Sequence, residues 1–145
     1  MYRHLLIATD GSELANNAVT HGLALAKPLG AKVTVVTVTE PFPAFAFAEP
    51  SISVPLHAYE EAASTRATKI LNDVSAAAKL QGVVCDVIHV NDRLPAEGIL
   101  EIAKVRGSDL IVMASHGRRG LSRLVLGSQA NEVVSQSSIP VLVCR

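Results

Sequence analysis

The chain has 145 residues and balances 13 basic against 13 acidic side chains, a formal net charge of +0. That length predicts one domain able to bury an ordinary core, and 49% hydrophobic with 18% charged residues excludes a disordered chain. Balanced charge gives no overall field for gripping nucleic acid or an acidic membrane, so any electrostatic function has to be local.

Met1-Tyr2-Arg3-His4 leads straight into Leu5-Leu6-Ile7-Ala8, a short apolar run that suits a strand covered on both faces. The opening reads as a chain without a signal peptide, and no apolar run approaches the roughly 18 residues of a membrane span, so a cytoplasmic protein is expected. Thr9-Asp10-Gly11-Ser12 is turn chemistry. Ser12 suits an N-cap, Glu13 suits the positive end of the helix dipole, and Leu14, Ala18, Leu25 and Leu29 keep near-helical spacing as far as Gly30. Ala31 to Thr39, rich in β-branched residues, is the clearest strand.

A long helix is predicted over about Leu56 to Leu80, with Ala62, Ala63, Ile70, Leu71 and Val74 inward and Gly82 ending it. Val83 to Val90 is the next strand, and Pro95 opens a helix through Ile99, Leu100, Ile102 and Ala103. A buried strand at Leu110 to Ala114 precedes a glycine-bearing loop, a helix to about Gln136, and a last strand at Ile139 to Cys144. Cys85 and Cys144 both lie in apolar runs, so two buried thiols in a reducing compartment are expected rather than a disulfide.

Non-alternating apolar strands joined by helices imply a parallel sheet covered on both faces, and right-handed crossovers make it doubly wound. Ligands on such sheets bind at the carboxyl ends of the strands, near the switch in strand order. Three segments should meet there: Thr9 to Ser12, the stretch after Val38, and the loop from Ser115 to Ser128. That loop carries Arg118, Arg119 and Arg123 and no acid. Set between a strand and a helix, it can offer backbone N–H groups and a helix N-terminus to an anion, so a phosphate site is expected.

The loop has neither the Walker pattern nor Gly-x-Gly-x-x-Gly. It resembles the nucleotide motif of the ATP-binding branch of the universal stress protein family, Gly-x2-Gly-x9-Gly-Ser/Thr, here written Ala114-x2-Gly117-x9-Gly127-Ser128. The resemblance covers the whole chain, from Ile7-Ala8-Thr9-Asp10-Gly11-Ser12 to Ile139-Pro140-Val141-Leu142-Val143-Cys144-Arg145. It implies a single-domain, three-layer α/β/α fold of the adenine nucleotide alpha-hydrolase type. The five-stranded parallel sheet would have the order 3-2-1-4-5.

Carried over by position, the resemblance implies that Asp10 reaches a ribose hydroxyl and that the backbone around Val38 meets the adenine edge. Ala114, His116 and Gly117 would line the ribose and first phosphates. Gly127, the Ser128 hydroxyl and the backbone of Gln129 would hold the outer phosphates. Ala8 and Thr9 before Asp10, and Met113 before Ala114, complete the expected pocket, with Thr9 also serving the turn. At most one arginine is expected to touch nucleotide, and Arg118 is counted. The ligand would be ATP, or AMP or another adenine nucleotide, with Mg2+ as a companion.

Ala114 departs from the motif's first glycine. Its methyl group either crowds the ligand or sits harmlessly at a strand end with negative φ. His116 has no carboxylate near it in sequence to orient it as a base, so packing is its expected role. His4, His21, His57 and His89 lack metal-ligand spacing. Phe42, Phe45 and Phe47 fall in the proline-rich stretch Pro41 to Pro55, which reads as a lid beside the adenine pocket, a docking surface for a protein partner, or a cover for a helix face.

Ile139 to Cys144, as an apolar edge strand, invites a two-fold homodimer. The function expected is a nucleotide-binding regulatory module of the stress response. A slow ATPase or nucleotide hydrolase, or a dimeric interaction protein without nucleotide, are the alternatives.

Overall fold

The computed structural model describes residues 1–42, 55–117 and 125–145. In chain order the elements are β1 (His4–Ala8), α1 (Glu13–Leu29), β2 (Lys32–Thr39), α2 (Leu56–Gln81), β3 (Cys85–Asn91), α3 (Pro95–Arg106), β4 (Leu110–Ala114), α4 (Ser128–Gln136) and β5 (Val141–Cys144). The five strands pair in parallel in the order β3-β2-β1-β4-β5. This is the doubly wound order expected, with the switch between β1 and β4.

Local chemistry sets the boundaries. Ser12 caps α1, its Oγ accepting from the Ala15 amide at 3.2 Å. Gly30, Gly82 and Gly107 close α1, α2 and α3 in left-handed conformation at φ 61°, 70° and 65°, which glycine adopts without Cβ strain. β3 starts at Cys85 rather than Val83 because Val83 still belongs to the helix end, donating to Ala78 O at 3.0 Å. β5 starts at Val141 rather than Ile139, because a turn held by Ser137 Oγ, which accepts from the Ile139 amide at 3.2 Å, occupies the residues before it.

Strand alternation divides the core into two layers. Leu5 and Ile7 of β1, Val33 and Val35 of β2, and Leu110, Val112 and Ala114 of β4 face α1 and α2. Leu6, Ala8, Val36, Ile111 and Met113 face α3 and α4, meeting Ala96, Ile99, Ala103, Ala130 and Val133. The layers pack closely. A Cβ at Gly22 of α1 would collide with the Ile7 side chain, and one at Gly98 of α3 would lie 2.8 Å from Val38 Cγ2.

Two further sequence expectations need correction. Ala62 is exposed, because α2 buries Ala63, Ala67, Leu71, Val74 and Ala78, a stripe at three- and four-residue spacing that leaves residue 62 off the face. Cys85 is only partly buried, while Cys144 is buried. They occupy opposite edge strands, four strand spacings or about 19 Å apart, so a disulfide between them is geometrically excluded.

Candidate functional site

The switch point brings the ends of β1 and β4 side by side. After β1, Thr9 continues the ladder by donating from its amide to Val36 O at 3.0 Å. Its buried side chain accepts from the Gly11 amide at 3.1 Å. Asp10 Oδ1 accepts from the Ser12 amide at 2.9 Å, and Gly11 takes φ 79°. This turn fixes one carboxylate oxygen of Asp10 on its own backbone. The other, Oδ2, faces Gly117, where an added Cβ would sit 3.0 Å away.

After β4, the Ser115 amide donates to Cys144 O at 2.7 Å, and the Gly127 amide donates back to Ser115 O at 2.8 Å. The chain that leaves the sheet at Ser115 thus returns against the same residue. A Cβ on Gly127 would meet Ser115 O at 3.1 Å and His116 Cα at 3.4 Å, so a side chain there would press on the returning backbone. Gly127 is also the N-cap of α4, with no side-chain cap bond, and its carbonyl accepts from the Asn131 amide at 2.9 Å. The amides of Ser128 and Gln129 precede that first intrahelical bond, at the positive end of the helix.

His116 Nδ1 lies 3.0 Å from Ser115 Oγ. Ser115 is 4% exposed, so its hydroxyl is a buried partner for the ring rather than an accessible nucleophile. Ala114 is strand residue and core residue at once. It packs in the α1-side layer, pairs with Cys144, and is absent from the positive-φ residues.

The other expected residues divide. Ala8 and Met113 are buried in the α3-side layer, so only their backbones reach the sheet edge. Val38 lies at the carboxyl end of β2, packed towards Gly98 and paired with Val90. Beyond it, Thr39 Oγ1 and His89 Nε2 are 2.7 Å apart, and the Tyr59 hydroxyl of α2 donates to Glu40 O at 2.9 Å. Phe42 packs edge-on against Tyr59 with ring centres 5.2 Å apart. Arg118, Arg119 and Arg123, and Phe45 and Phe47, lie outside the described residues.

One contact was not foreseen. Gln129 Oε1 accepts from the Ala96 amide at 2.9 Å. Helix α3 opens Leu94-Pro95 without a side-chain cap of its own, and a capless helix start was the available sign that another element supplies the acceptor.

Burial lowers the His89 pKa, and it raises the thiol pKa of Cys144. Desolvation, reinforced by the charge of Asp86, pushes Cys85 up to about 11. Among the described residues no three His, Cys, Asp or Glu side chains gather as a metal site, and no helix is long and apolar enough to cross a membrane. The assembled groups are a fixed carboxylate, two glycines at close approach and a helix N-terminus. The carboxylate can accept from a hydroxyl, and the helix N-terminus can take an anion.

The family model described as the Universal stress protein family matches residues 1–145. A universal stress protein from Thermus aquaticus is 34% identical over 145 residues, covering 100% of both chains. Among solved structures, MJ0577 of Methanocaldococcus jannaschii superposes with a TM-score of 0.82 at 27% identity, covering 99% of this chain and 96% of that one. A universal stress protein solved in complex with cAMP shares the fold, with a TM-score of 0.74 at 23% identity and coverage of 99% and 97%. With its glycine-bearing strand-to-helix loop and its 3-2-1-4-5 sheet, the chain belongs to the universal stress protein family.

Proposed function

We propose that this protein is an adenine-nucleotide-binding regulatory module of the stress response, acting in the cytoplasm as a homodimer rather than as a fast enzyme. The observation that carries this reading is the meeting of Asp10 with Gly117, beside the pinch of Ser115 against Gly127 at the α4 N-terminus. A carboxylate one residue beyond β1 suits a ribose hydroxyl, and the amides of Ser128 and Gln129 suit phosphate oxygens.

In this reading Asp10 holds the ribose and the backbone near Val38 meets the adenine. Ala114, His116 and Gly117 flank the ribose and first phosphates, while Gly127, the Ser128 hydroxyl and the Gln129 amide hold the outer ones. Arg118 could add one charge-assisted contact. The relative bound to cAMP supports adenine as the base, and ATP, with AMP or another adenine nucleotide as a competitor, is the ligand put forward. With no three-carboxylate or histidine cluster among the described residues, Mg2+ would be held mainly by the phosphates.

The free edge of β5 supports the dimer. Pro140 and Cys144 direct their carbonyls to β4, leaving the amides of Val141 and Val143 outward for a second copy. Mass spectrometry of the small molecules released from purified protein tests the function, with an adenine nucleotide near one per chain expected. Phosphate release from ATP should stay far below roughly 1 s⁻¹. Turnover above that rate would establish an enzyme instead.

A further inference from the structure

Gln129 occupies an unusual junction. Its own amide lies in the first turn of α4, and its side-chain oxygen closes the first turn of α3 through Ala96 at 2.9 Å. Two helices therefore start against one residue. Both starts carry positive dipole ends, and one acceptor joins them. Because Oε1 takes the backbone N–H, the amide orientation is fixed, and Nε2, which has no hydrogen-bond partner among the described residues, is left as a donor.

The opening of α3 would ordinarily favour Asp, Ser or Thr as a cap. A carboxylate reaching across from residue 129 would satisfy the Ala96 amide at least as well as an amide oxygen, since an ionised acceptor bonds more strongly. It would also place a negative charge beside the amides of Ser128 and Gln129. Glutamine makes the same bond without charge. The acid already in the first turn of α3, Glu97, is exposed, so solvent screens it.

We propose that Gln129 is a positioning and specificity residue of the nucleotide pocket. Its neutral side chain locks the α3 and α4 N-termini together while keeping the phosphate end free of negative charge. The pocket thereby favours ligands in proportion to their phosphate charge, ATP over AMP over adenosine. The assignment rests on the nucleotide reading above and adds a determinant of phosphate number to it.

The test uses the full chain and its Gln129→Glu and Gln129→Leu variants, titrated with ATP, AMP and adenosine, with melting temperatures recorded alongside. Gln129→Glu should melt at or above the parent temperature. It should lose at least tenfold in ATP affinity and less in AMP affinity, with adenosine unchanged. Gln129→Leu, lacking the α3 cap, should melt lower and lose its preference among the three ligands. A Gln129→Glu protein that binds ATP as tightly as the parent, or weakens for all three ligands alike, overturns the assignment and leaves the pocket intact. A parent that binds none of the three overturns the nucleotide reading and the assignment together.

Discussion

Asp10 and Gly117 define each other's position: a Cβ on residue 117 would sit 3.0 Å from Asp10 Oδ2. Because Oδ1 is tied to the Ser12 amide at 2.9 Å, a shift of the carboxylate away from residue 117 strains that turn bond. Gly117→Ala should therefore displace Oδ2 and weaken adenine nucleotide binding about tenfold, roughly 1.4 kcal/mol. Its melting temperature should change little, since residue 117 is exposed. Calorimetric titration of parent and variant measures both ligand affinities directly. Unchanged affinity would remove Asp10 from the pocket.

Ala114, where the family motif has glycine, is buried in the α1-side layer at 8% exposure, in β4 and without positive φ. Its methyl group is thus part of the core. Restoring the motif by Ala114→Gly should cost about 1 kcal/mol of stability through backbone entropy and lost packing. It should leave nucleotide affinity within twofold of the parent. A large gain in affinity would show that the methyl group crowds the ligand.

Stability should follow a plateau in pH. The Cys85 thiol, pushed up to about 11, binds its proton in the folded chain after an unfolded thiol has lost it. Stability is then full below the unfolded thiol pKa and falls as pH rises from about 9 towards 11. The lowered His89 pKa acts on the other side. An unfolded histidine takes up a proton first, so stability falls as pH drops below about 6.5. Denaturant titrations across pH should show Cys85→Ala flattening the alkaline limb and His89→Gln the acid limb. Limbs unaffected by either substitution would assign them to other groups.

The outward amide of Val143 on the free edge of β5 offers a selective break. Val143→Pro removes that donor and spares the bonds to β4, where Pro140 and Cys144 carbonyls are engaged, and proline is tolerated on such edges. Sedimentation at micromolar concentration should shift from dimer to a 15.3 kDa monomer, with the far-ultraviolet dichroism retained. A parent that sediments as monomer, or a variant that stays dimeric, contradicts pairing through β5.

The strand order of the fold was readable because apolar strands and glycine-terminated helices leave few topologies. Ser12, Gly30, Gly82 and Pro95 each marked a boundary that the backbone uses. The placement of Asp10, Gly117 and Gly127 just beyond strand ends at the switch point, or before the helix that follows, was readable for the same reason. Two features were hidden because they arise from contacts distant in sequence. The capping of α3 by Gln129 spans 33 residues between Ala96 and its partner, and no local pattern encodes it. The ambiguity at Ala114 turned on φ and on which core layer its methyl group enters, and both depend on the assembled sheet.

Isothermal titration of the purified full chain, freed of co-purified ligand, with ATP and with AMP tests whether the junction of Asp10, Gly117, Gly127 and Ser128 binds an adenine nucleotide. Saturable binding with one site per chain and a dissociation constant below millimolar is predicted, with at least a tenfold loss in Asp10→Ala. No binding of either nucleotide at millimolar concentration would leave this junction without a nucleotide-binding role.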